Sequence, residues 1–253
     1  MLRENSLIMT KCNIIIQARM NSKRLPGKMM LDLFGYPILY HILKRLKKCK
    51  KVNKIILAIP NNGIDEILAE VASDVTNIEI VRGSEENLIK RFFIAANDHR
   101  SDYIIRFPAD NPFPDPEEID KLVDFHVINN TTGFSSNIAS VFDNGMIDGV
   151  GAEIFSYKLL KQIVEEKTTK EQKEHIHLNF YDYKTKKAIK HNVSVMAPKP
   201  DLLLQRPEFA LDINTIDQYF FIRNIYKNVC FGKTEYKTKD IIKFLDFKEI
   251  KRA

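Results

Sequence analysis

A short apolar strand that runs into a strongly basic loop is the feature that most constrains this chain. Three consecutive isoleucines at 14–16 precede the segment QARMNSKRLPGK at 17–28, which carries four cations and no acidic residue. The apolar run predicts a buried strand, and ligands of open α/β sheets bind at the carboxyl ends of such strands. Pro26-Gly27 predicts a turn that brings Lys28 back toward the strand end. The cations that could share the charge of a nucleoside triphosphate are Arg19, Lys23, Arg24 and Lys28.

Two other phosphate-binding loops do not match this segment. A dinucleotide-binding fingerprint needs three spaced glycines after the strand, and only Gly27 is present. A P-loop needs an earlier glycine and a Ser or Thr after Gly-Lys, whereas Met29 follows Lys28 here. A solvated basic loop on another kind of α/β protein stays open as an alternative.

Residues 17–28 resemble the signature loop of the cytidylyltransferases of the spore-coat polysaccharide biosynthesis type. Those enzymes are related to the 3-deoxy-manno-octulosonate and acylneuraminate cytidylyltransferases. The resemblance implies an α/β fold with a mostly parallel, Rossmann-like sheet of the nucleotide-diphospho-sugar transferase (GT-A-like) kind and helices on both faces. It also implies that CTP lies over the loop, with its phosphates on Arg19 and Lys28. The nucleotide-binding residues that it implies here are Gln17, Ala18, Arg19, Ser22, Arg24 and Lys28.

Length and composition agree with one large α/β domain. The chain has 253 residues, of which 44% are hydrophobic and 28% charged, as in ordinary globular proteins. The net charge of +6 lies in lysine-rich runs without interleaved aromatic residues, so nucleic acid is not an expected partner. Three cysteines, none in a C-x-x-C pair, argue against a disulfide framework or a zinc site. We see no secretory signal and no stretch of transmembrane length, and expect a cytoplasmic protein without membrane insertion.

Apolar periodicity predicts alternating strands and helices in the first half of the chain, which is typical of a parallel sheet with right-handed crossovers. The predicted strands cover 13–17, 54–59, 78–81 and 103–107, and the predicted helices cover 37–49, 64–71, 85–96 and 116–128.

After about residue 130 the pattern loosens. The predicted elements there are loops over 131–150, helices over 157–166, 171–183 and 216–226, a strand over 189–196 and a last buried strand over 209–213. We therefore expect an extension over 1–11 and a single domain over 12–253. Its CTP-binding half would cover 12–130, and its acceptor-binding and dimerisation half would cover 131–253.

Of the acidic residues that follow the fourth predicted strand, Asp115 is explained as a helix cap and Asp110 is not. Asp115 precedes a proline at the first helical position, and Glu118 stands at the third, as in a capping box. Asp110 lies before this cap, near the end of the fourth predicted strand, and the helix does not account for it. A turn residue is its alternative role.

A second unexplained carboxylate, Asp212, lies one residue inside the end of the last predicted strand. The segment that follows can cap the next helix in two ways. Thr215 can form a capping box with Gln218, or Asn214 can cap with Asp217 at its third position. Either cap leaves Asp212 without a structural explanation.

Asp110 and Asp212 are thus two carboxylates that helix capping does not explain, and we expect them to face the cationic loop. Such a pair suits a Mg²⁺–triphosphate site, since Mg²⁺ takes few protein oxygens and completes its shell with water and phosphate. The resemblance implies the same, because Asp110 matches the family's Asp-x-Pro element and Asp212 its late Asp-x-Asp-like element. Asn214 stands where relatives with two acids have the second one, which leaves open whether one or two metal ions bind. The implied catalytic residues are Arg19, Lys28, Asp110 and Asp212, with Mg²⁺ as cofactor.

Residues 83–91 resemble the family's Gly-Ser-Glu-Asp-x-x-Leu-x-Arg stretch, which opens the helix under the nucleotide. The resemblance implies that Arg91 lies beside the nucleotide, and a solvated helix arginine is the alternative. Ser84 is the predicted helix cap.

Two segments of the second half resemble acceptor-binding motifs of the family. Residues 148–153 resemble Asp-Gly-x-Asp-x-Glu with glycine in place of the middle acid, and 174–177 resemble Glu-His-Val-Thr with His177 in place of threonine. Both departures fall where the acceptor would bind, so its identity stays open. The acceptor-binding residues that the resemblance implies are Glu153 and His175.

The expected function is CTP-dependent activation of a sugar, sugar acid or phosphorylated polyol, in which pyrophosphate leaves. Backbone groups of residues 17–19 are expected to recognise cytosine.

The resemblance also implies a homodimer, for which residues 189–204 could supply an arm, and an ordinary internal strand is the alternative there. Two other classes stay open: a nucleotide-sugar-dependent glycosyltransferase, although its usual mid-chain Asp-x-Asp is missing, and a non-catalytic nucleotide-binding regulator.

Overall fold

A seven-stranded sheet forms the centre of the structure, a computed structural model that describes residues 10–189, 193–233 and 235–248. Two small two-stranded sheets lie outside it. In chain order the strands are β1 (Cys12–Gln17), β2 (Asp32–Leu33), β3 (Tyr36–Pro37), β4 (Lys54–Pro60), β5 (Ile78–Gly83), β6 (Tyr103–Pro108), β7 (Phe134–Ser136), β8 (Glu153–Ser156), β9 (Tyr181–Asp182), β10 (Lys187–Ala188) and β11 (Val195–Met196).

The strand order of the large sheet places a crevice beside β1. The order is β11-β7-β8-β6-β1-β4-β5, and only β8 runs antiparallel to its neighbours. The chain adds β4 and β5 on one side of β1 and then crosses to place β6 on the other. This change of direction is a topological switch point, where ligands bind outside the carboxyl ends of the strands. The prediction of a mostly parallel sheet is confirmed.

Helices cover both faces of this sheet, as predicted. Because side chains alternate along a strand, Ile14 and Ile16 of β1 face one hydrophobic core and Ile15 faces the other. No helix within the described ranges is both long and apolar enough to cross a bilayer. The helices are α1 (Ile38–Leu46), α2 (Glu66–Ser73), α3 (Leu88–Asp98), α4 (Pro116–Asn129), α5 (Tyr157–Glu165), α6 (Lys170–Glu174), α7 (Ile216–Ile225) and α8 (Thr238–Lys248).

Two predicted helix caps are confirmed. The Asp115 side chain accepts hydrogen bonds from two backbone N–H groups in the first turn of α4. The Glu118 carboxylate accepts from Lys121 instead of completing a box. At the start of α7, Thr215 and Gln218 form the capping box, so of the two caps open from the sequence this is the one that forms. Both helices therefore begin where the sequence predicts, just after Asp110 and Asp212.

The predicted strand over 209–213 is wrong. This segment makes only an isolated bridge, between Asp148 and Ala210, and otherwise runs as a loop beside the end of β6. The backbone N–H of Ile213 donates to the carbonyl of Asp110 at 2.8 Å. Its apolar residues are buried because the loop packs into the core, and periodicity alone does not separate such a loop from a strand.

The second half of the sheet contains two strands that the sequence pattern did not predict. β7 lies inside the predicted loop region 131–150 and has only three residues, two of them serine, so it lacks an apolar run. β8 starts at Glu153 and joins β6 to β7. Of the predicted strand over 189–196, only β11 forms, and 190–192 lie outside the described residues.

Only the first turn of the predicted helix over 171–183 forms. α6 ends at Glu174, His175 takes an extended conformation, and a 3₁₀ turn over Ile176–Asn179 leads into β9. Phe180 stacks on Phe134 of β7, with ring centroids 5.2 Å apart. This contact joins segments far apart in sequence, so local periodicity does not report it.

One buried histidine should make the stability of the fold depend on pH. His126 of α4 is fully buried, its Nδ1 contacts the Ser135 hydroxyl at 2.9 Å, and burial lowers its pKa to about 4. An unfolded chain takes up this proton near pH 6.5, so the stabilising contribution is present above pH 6.5 and lost as pH falls toward 4. We expect the free energy of unfolding in urea to fall by up to about 3 kcal/mol across this window. His126→Asn, which keeps a partner for Ser135, should show a shallower fall, and equal slopes would contradict the assignment.

Candidate active site

The basic loop leaves the carboxyl end of β1 and folds back on itself. Gly27 has a φ of +70°, a conformation that glycine adopts without strain, and its N–H donates to the carbonyl of Met20 at 2.8 Å. The Met20 N–H donates in turn to the buried carboxylate of Asp65, just before α2, at 2.5 Å. The turn predicted at Pro26-Gly27 thus returns the chain to the strand end.

Lys28 joins three segments of the chain. Its ammonium donates to Asp110 Oδ2 at 3.2 Å, to the carbonyl of Ile213 at 2.9 Å and to Asn214 Oδ1 at 3.2 Å. The Lys28 side chain is only 13% exposed, which limits competition from water. The two predicted acidic segments therefore meet at one cation of the basic loop.

Asp212 lies next to this junction. Its Oδ2 accepts a hydrogen bond from the Asn214 amide at 2.5 Å, while its buried Oδ1 has no partner in the described part of the chain. An unpaired buried carboxylate oxygen is costly unless a ligand satisfies it. Asp212 thus keeps one free coordination position, and Asn214 links it to Lys28.

Arg19 reaches across the loop to the second half of the chain. Its guanidinium pairs with Glu174 at the end of α6 at 2.9 Å, and Lys23 lies 4.0 Å from the same carboxylate. The hydrogen bond from the Arg19 guanidinium is the main reason why the pKa of Glu174 is lowered. The carboxylate of Glu174 thus lies between two cations of the basic loop.

Arg91 is buried, so the alternative of a solvated helix arginine is wrong. It donates to the carbonyl of Ser84 at 2.8 Å, and its Nε has no partner among the described residues. Burial lowers the pKa of Arg91 to about 10, with Arg19 contributing, which leaves it charged at neutral pH. Gly83 permits this packing, since a Cβ there would lie 3.0 Å from the Arg91 side chain. The helix cap is Asn87 instead of Ser84, because its Oδ1 accepts from the N–H of Lys90.

These side chains surround one cavity of about 460 Å³ at the switch point. All predicted site residues line it except Asp212 and Glu153. Its lining residues are Gln17, Ala18, Arg19, Ser22, Lys23, Arg24, Lys28, Met29, Glu85, Leu88, Arg91, Ala109, Asp110, Glu174 and His175.

Glu153 lies behind the cavity, contrary to the expectation that it contacts a ligand directly. It is fully enclosed, pairs with Arg106 Nη1 at 2.7 Å and accepts from the Tyr183 hydroxyl at 2.5 Å. Burial alone would raise the pKa of Glu153, but the charge of the Arg106 guanidinium and these hydrogen bonds lower it. Glu153 is therefore an anion whose oxygens the protein itself satisfies.

The two histidines of the second half differ in environment. His175 lines the cavity and is exposed, although partial burial lowers its pKa. His177 lies deeper, with Nδ1 4.0 Å from a Glu153 oxygen, and burial lowers its pKa to about 4. Both rings are therefore neutral at pH 7, and His175 is the one that can meet a ligand.

Arg106 and Glu174 are among the charged residues of the site that sequence reasoning missed. Arg106 interrupts the apolar run of β6, and a charge inside a buried strand signals that it needs a partner. Glu174 opens the motif that drew attention to His175, but its contact with Arg19 spans 155 positions. No sequence pattern reports a contact of that separation.

The sheet, its switch point and a cavity lined by cations are those of a nucleotide-binding α/β protein. A sequence profile of the cytidylyltransferase family matches residues 13–228, and the chain belongs to this family of nucleotidyltransferases.

Two relatives align over most of their length. The uncharacterized protein MJ1063 of Methanocaldococcus jannaschii is 32% identical over 232 residues, which is 92% of this chain and 89% of that protein. The spore coat polysaccharide biosynthesis protein SpsF of Bacillus subtilis is 28% identical over 218 residues, or 84% and 85% of the two chains. 3-Deoxy-manno-octulosonate cytidylyltransferases are homologous over a shorter stretch, 42% of this chain in one case. The resemblance read from residues 17–28 is confirmed.

The fold has a counterpart among solved structures. A cytidylyltransferase from Leptospira borgpetersenii serovar Hardjo-bovis superposes with a TM-score of 0.83 at 26% sequence identity, and the alignment covers 95% of each chain. The expected fold class is confirmed, while the roles of the individual site residues remain predictions.

The contacts of Lys28 should contribute to the stability of the fold even without a bound ligand. Replacing Lys28 by Met removes three hydrogen bonds and leaves Asp110 without its cation, so we expect a loss of about 2 kcal/mol in urea unfolding. The matched control is Lys23→Met, because the Lys23 side chain is 82% exposed and its change should stay within about 0.5 kcal/mol. Equal stabilities of the two variants would show that the junction does not hold the loop.

Proposed function

We propose that this cytidylyltransferase uses CTP to activate a sugar, sugar acid or phosphorylated polyol, with release of pyrophosphate. The observation that carries the proposal is the juxtaposition, in one cavity at the switch point, of the basic loop with Asp110. The name of the relative SpsF, which refers to spore coat polysaccharide biosynthesis, supports a role in surface polysaccharide assembly.

The cations of the loop provide the phosphate-binding part of this site. Arg19 and Lys23 already hold a carboxylate, that of Glu174, and their charges suit phosphate oxygens equally well. Lys28 lies deeper, against Asp110, where it can meet the phosphates nearest the reacting centre. Arg24 and Arg91 complete a positively charged wall around the cavity.

Asp110 and Asp212 fit a Mg²⁺ ion bound together with the triphosphate. The buried, unpaired Oδ1 of Asp212 is an oxygen that lacks a partner in the described structure. The described residues contain no group of three or more acidic, His or Cys ligands, so the remaining ligands would be phosphate oxygens and water, as Mg²⁺ prefers. When bound, the ion supplies charge neutralisation on the phosphates.

The chain's own groups would act mainly by positioning and electrostatics. An acceptor oxygen attacks the α-phosphorus in line, the bond to the β-phosphate oxygen breaks, and pyrophosphate leaves. Arg19 and Lys28 would stabilise the charge that develops on the leaving pyrophosphate. Neutral His175, on the cavity wall, would contact the acceptor, while Glu153 would act from behind by fixing its neighbours.

The test is release of pyrophosphate from CTP and Mg²⁺ with a panel of sugars, sugar acids and phosphorylated polyols. We expect turnover with at least one acceptor, and a loss of about a hundredfold or more in Asp110→Asn. The matched control is Asp217→Asn, since Asp217 is an exposed carboxylate in the first turn of α7. Wild-type turnover in Asp110→Asn would contradict the assignment of this carboxylate.

Thermal shifts with the same protein separate the alternatives, because a ligand that binds only the folded state raises the melting temperature. A cytidylyltransferase should be stabilised by CTP with Mg²⁺ more than by UDP-sugars. The reverse order would favour a nucleotide-sugar-dependent glycosyltransferase, and CTP binding without turnover on any acceptor would favour a regulator.

We also propose a homodimer that forms through the edge of the sheet. β11 is the terminal strand, only two half-buried residues long, and its outer side has no neighbouring strand among the described residues. Such an edge offers backbone groups for pairing with a second chain, and Pro198 and Pro200 stop it shortly afterwards.

Light scattering at micromolar concentration should give the mass of a dimer. Met196→Lys places a charge on this edge and should shift the mass toward that of a monomer. A wild-type monomer, or a variant as dimeric as the wild type, would remove this edge from the interface.

A further inference from the structure

Gln17 is the last residue of β1 and brings the only uncharged amide side chain to the described wall of the cavity. Its Oε1 accepts a hydrogen bond from Arg106 Nε at 3.0 Å. Its amide nitrogen has no hydrogen-bond partner within the described residues. One end of the amide is therefore fixed by the protein, and the other remains available to a ligand.

The Arg106 guanidinium determines which way the amide points. A guanidinium has only donors, so the group that faces it must be an acceptor. Turning the Gln17 amide over would place its NH₂ against the N–H of Arg106 and lose a charge-assisted hydrogen bond. The side chain is thereby held as a donor toward the cavity.

Arg106 is itself fixed from the far side. Its Nη1 pairs with Glu153 on the neighbouring strand β8, and the same carboxylate accepts from Tyr183. Arg106 is 7% exposed and Glu153 is fully buried, so neither charge can turn to water instead. Breaking such a buried pair is strongly unfavourable, and this makes the orientation of the guanidinium nearly invariant.

The position of Gln17 separates it from the phosphate-binding cations. Those cations come from the loop that follows β1, whereas Gln17 still belongs to the strand and is followed by the small, buried Ala18. A neutral amide adds little where several charged donors compete for phosphate, but it suits the uncharged edge of a base. Cytosine presents an acceptor at N3, where uracil carries a hydrogen.

The geometry points to Gln17 as a specificity-determining residue whose NH₂ donates to the N3 edge of cytosine, and to Arg106 as the positioning residue that sets its orientation. This inference rests on the proposed use of CTP. It also gives Glu153 a task that needs no contact with any ligand, namely to hold Arg106 in place.

The test measures dissociation constants of CTP and UTP by calorimetry with Mg²⁺ and without an acceptor. Gln17→Leu removes the donor and should lower the preference for CTP over UTP about tenfold. Gln17→Glu still accepts from Arg106 but presents an acceptor to the base, so its preference should fall further or reverse toward UTP. Arg106→Lys keeps a charge beside Glu153 but loses the fixed guanidinium, and should lower the preference in the same direction.

A double-mutant cycle separates positioning from general structural damage. If Arg106 acts through Gln17, the Gln17→Leu/Arg106→Lys variant should discriminate no worse than Gln17→Leu alone, whereas independent effects would add. The matched controls are Gln162→Leu on exposed α5 and Arg82→Lys, an exposed arginine that also pairs with a carboxylate. Both should keep the wild-type preference.

The outcomes also distinguish this inference from the proposed function. A wild type that binds neither nucleotide contradicts the use of CTP, and the role of Gln17 with it. A wild type that prefers CTP, together with Gln17→Leu and Gln17→Glu variants that keep the same preference, contradicts the inference alone. Gln17 is half-buried at a strand end, so these two variants can fold even where Arg106→Lys does not.

Discussion

The site depends on the hydrogen bonds and the ion pair made by the ammonium of Lys28. Two segments distant in sequence converge on it and contribute three oxygens: the carboxylate of Asp110, and from the other segment the carbonyl of Ile213 and the amide oxygen of Asn214. Without this cation, the carboxylate of Asp110 would face two other oxygens, those of Ile213 and Asn214, with no positive charge between them. Asp212, two residues before Asn214, would bring a second negative charge close to the same point. A positive charge from the basic loop is thus what lets acidic segments of distant sequence approach each other.

A second constraint is the ion pair of Arg106 and Glu153 inside the sheet. Desolvating both charges is costly, and the structure offsets that cost with hydrogen bonds from Tyr183 and to Gln17. The pair spans β6 and β8, the place where the parallel part of the sheet meets its antiparallel strand. It therefore couples the half that carries the basic loop to the half that carries the histidines.

Much of the first half could be predicted because its signals are local. Apolar runs and helical stripes indicated β1, β4, β5 and β6, and cap residues fixed the starts of α4 and α7. The second half was harder, because β7 and β8 are short and the segment after β8 owes its conformation to contacts such as that of Phe180 with Phe134. The buried loop over 209–213 carries the same apolar residues as a strand, and only its long-range partners separate the two.

The sequence by itself determined the parallel sheet, the basic loop and the family, since these follow from residue types at fixed local spacing. It also indicated ten of the fifteen residues that line the cavity, but not Met29, Glu85, Leu88, Ala109 or Glu174. Tertiary structure alone decided that Glu153 is enclosed, that Glu174 meets Arg19 and that Arg106 orients Gln17. These contacts join residues 89 to 155 positions apart or depend on burial, which no local pattern encodes.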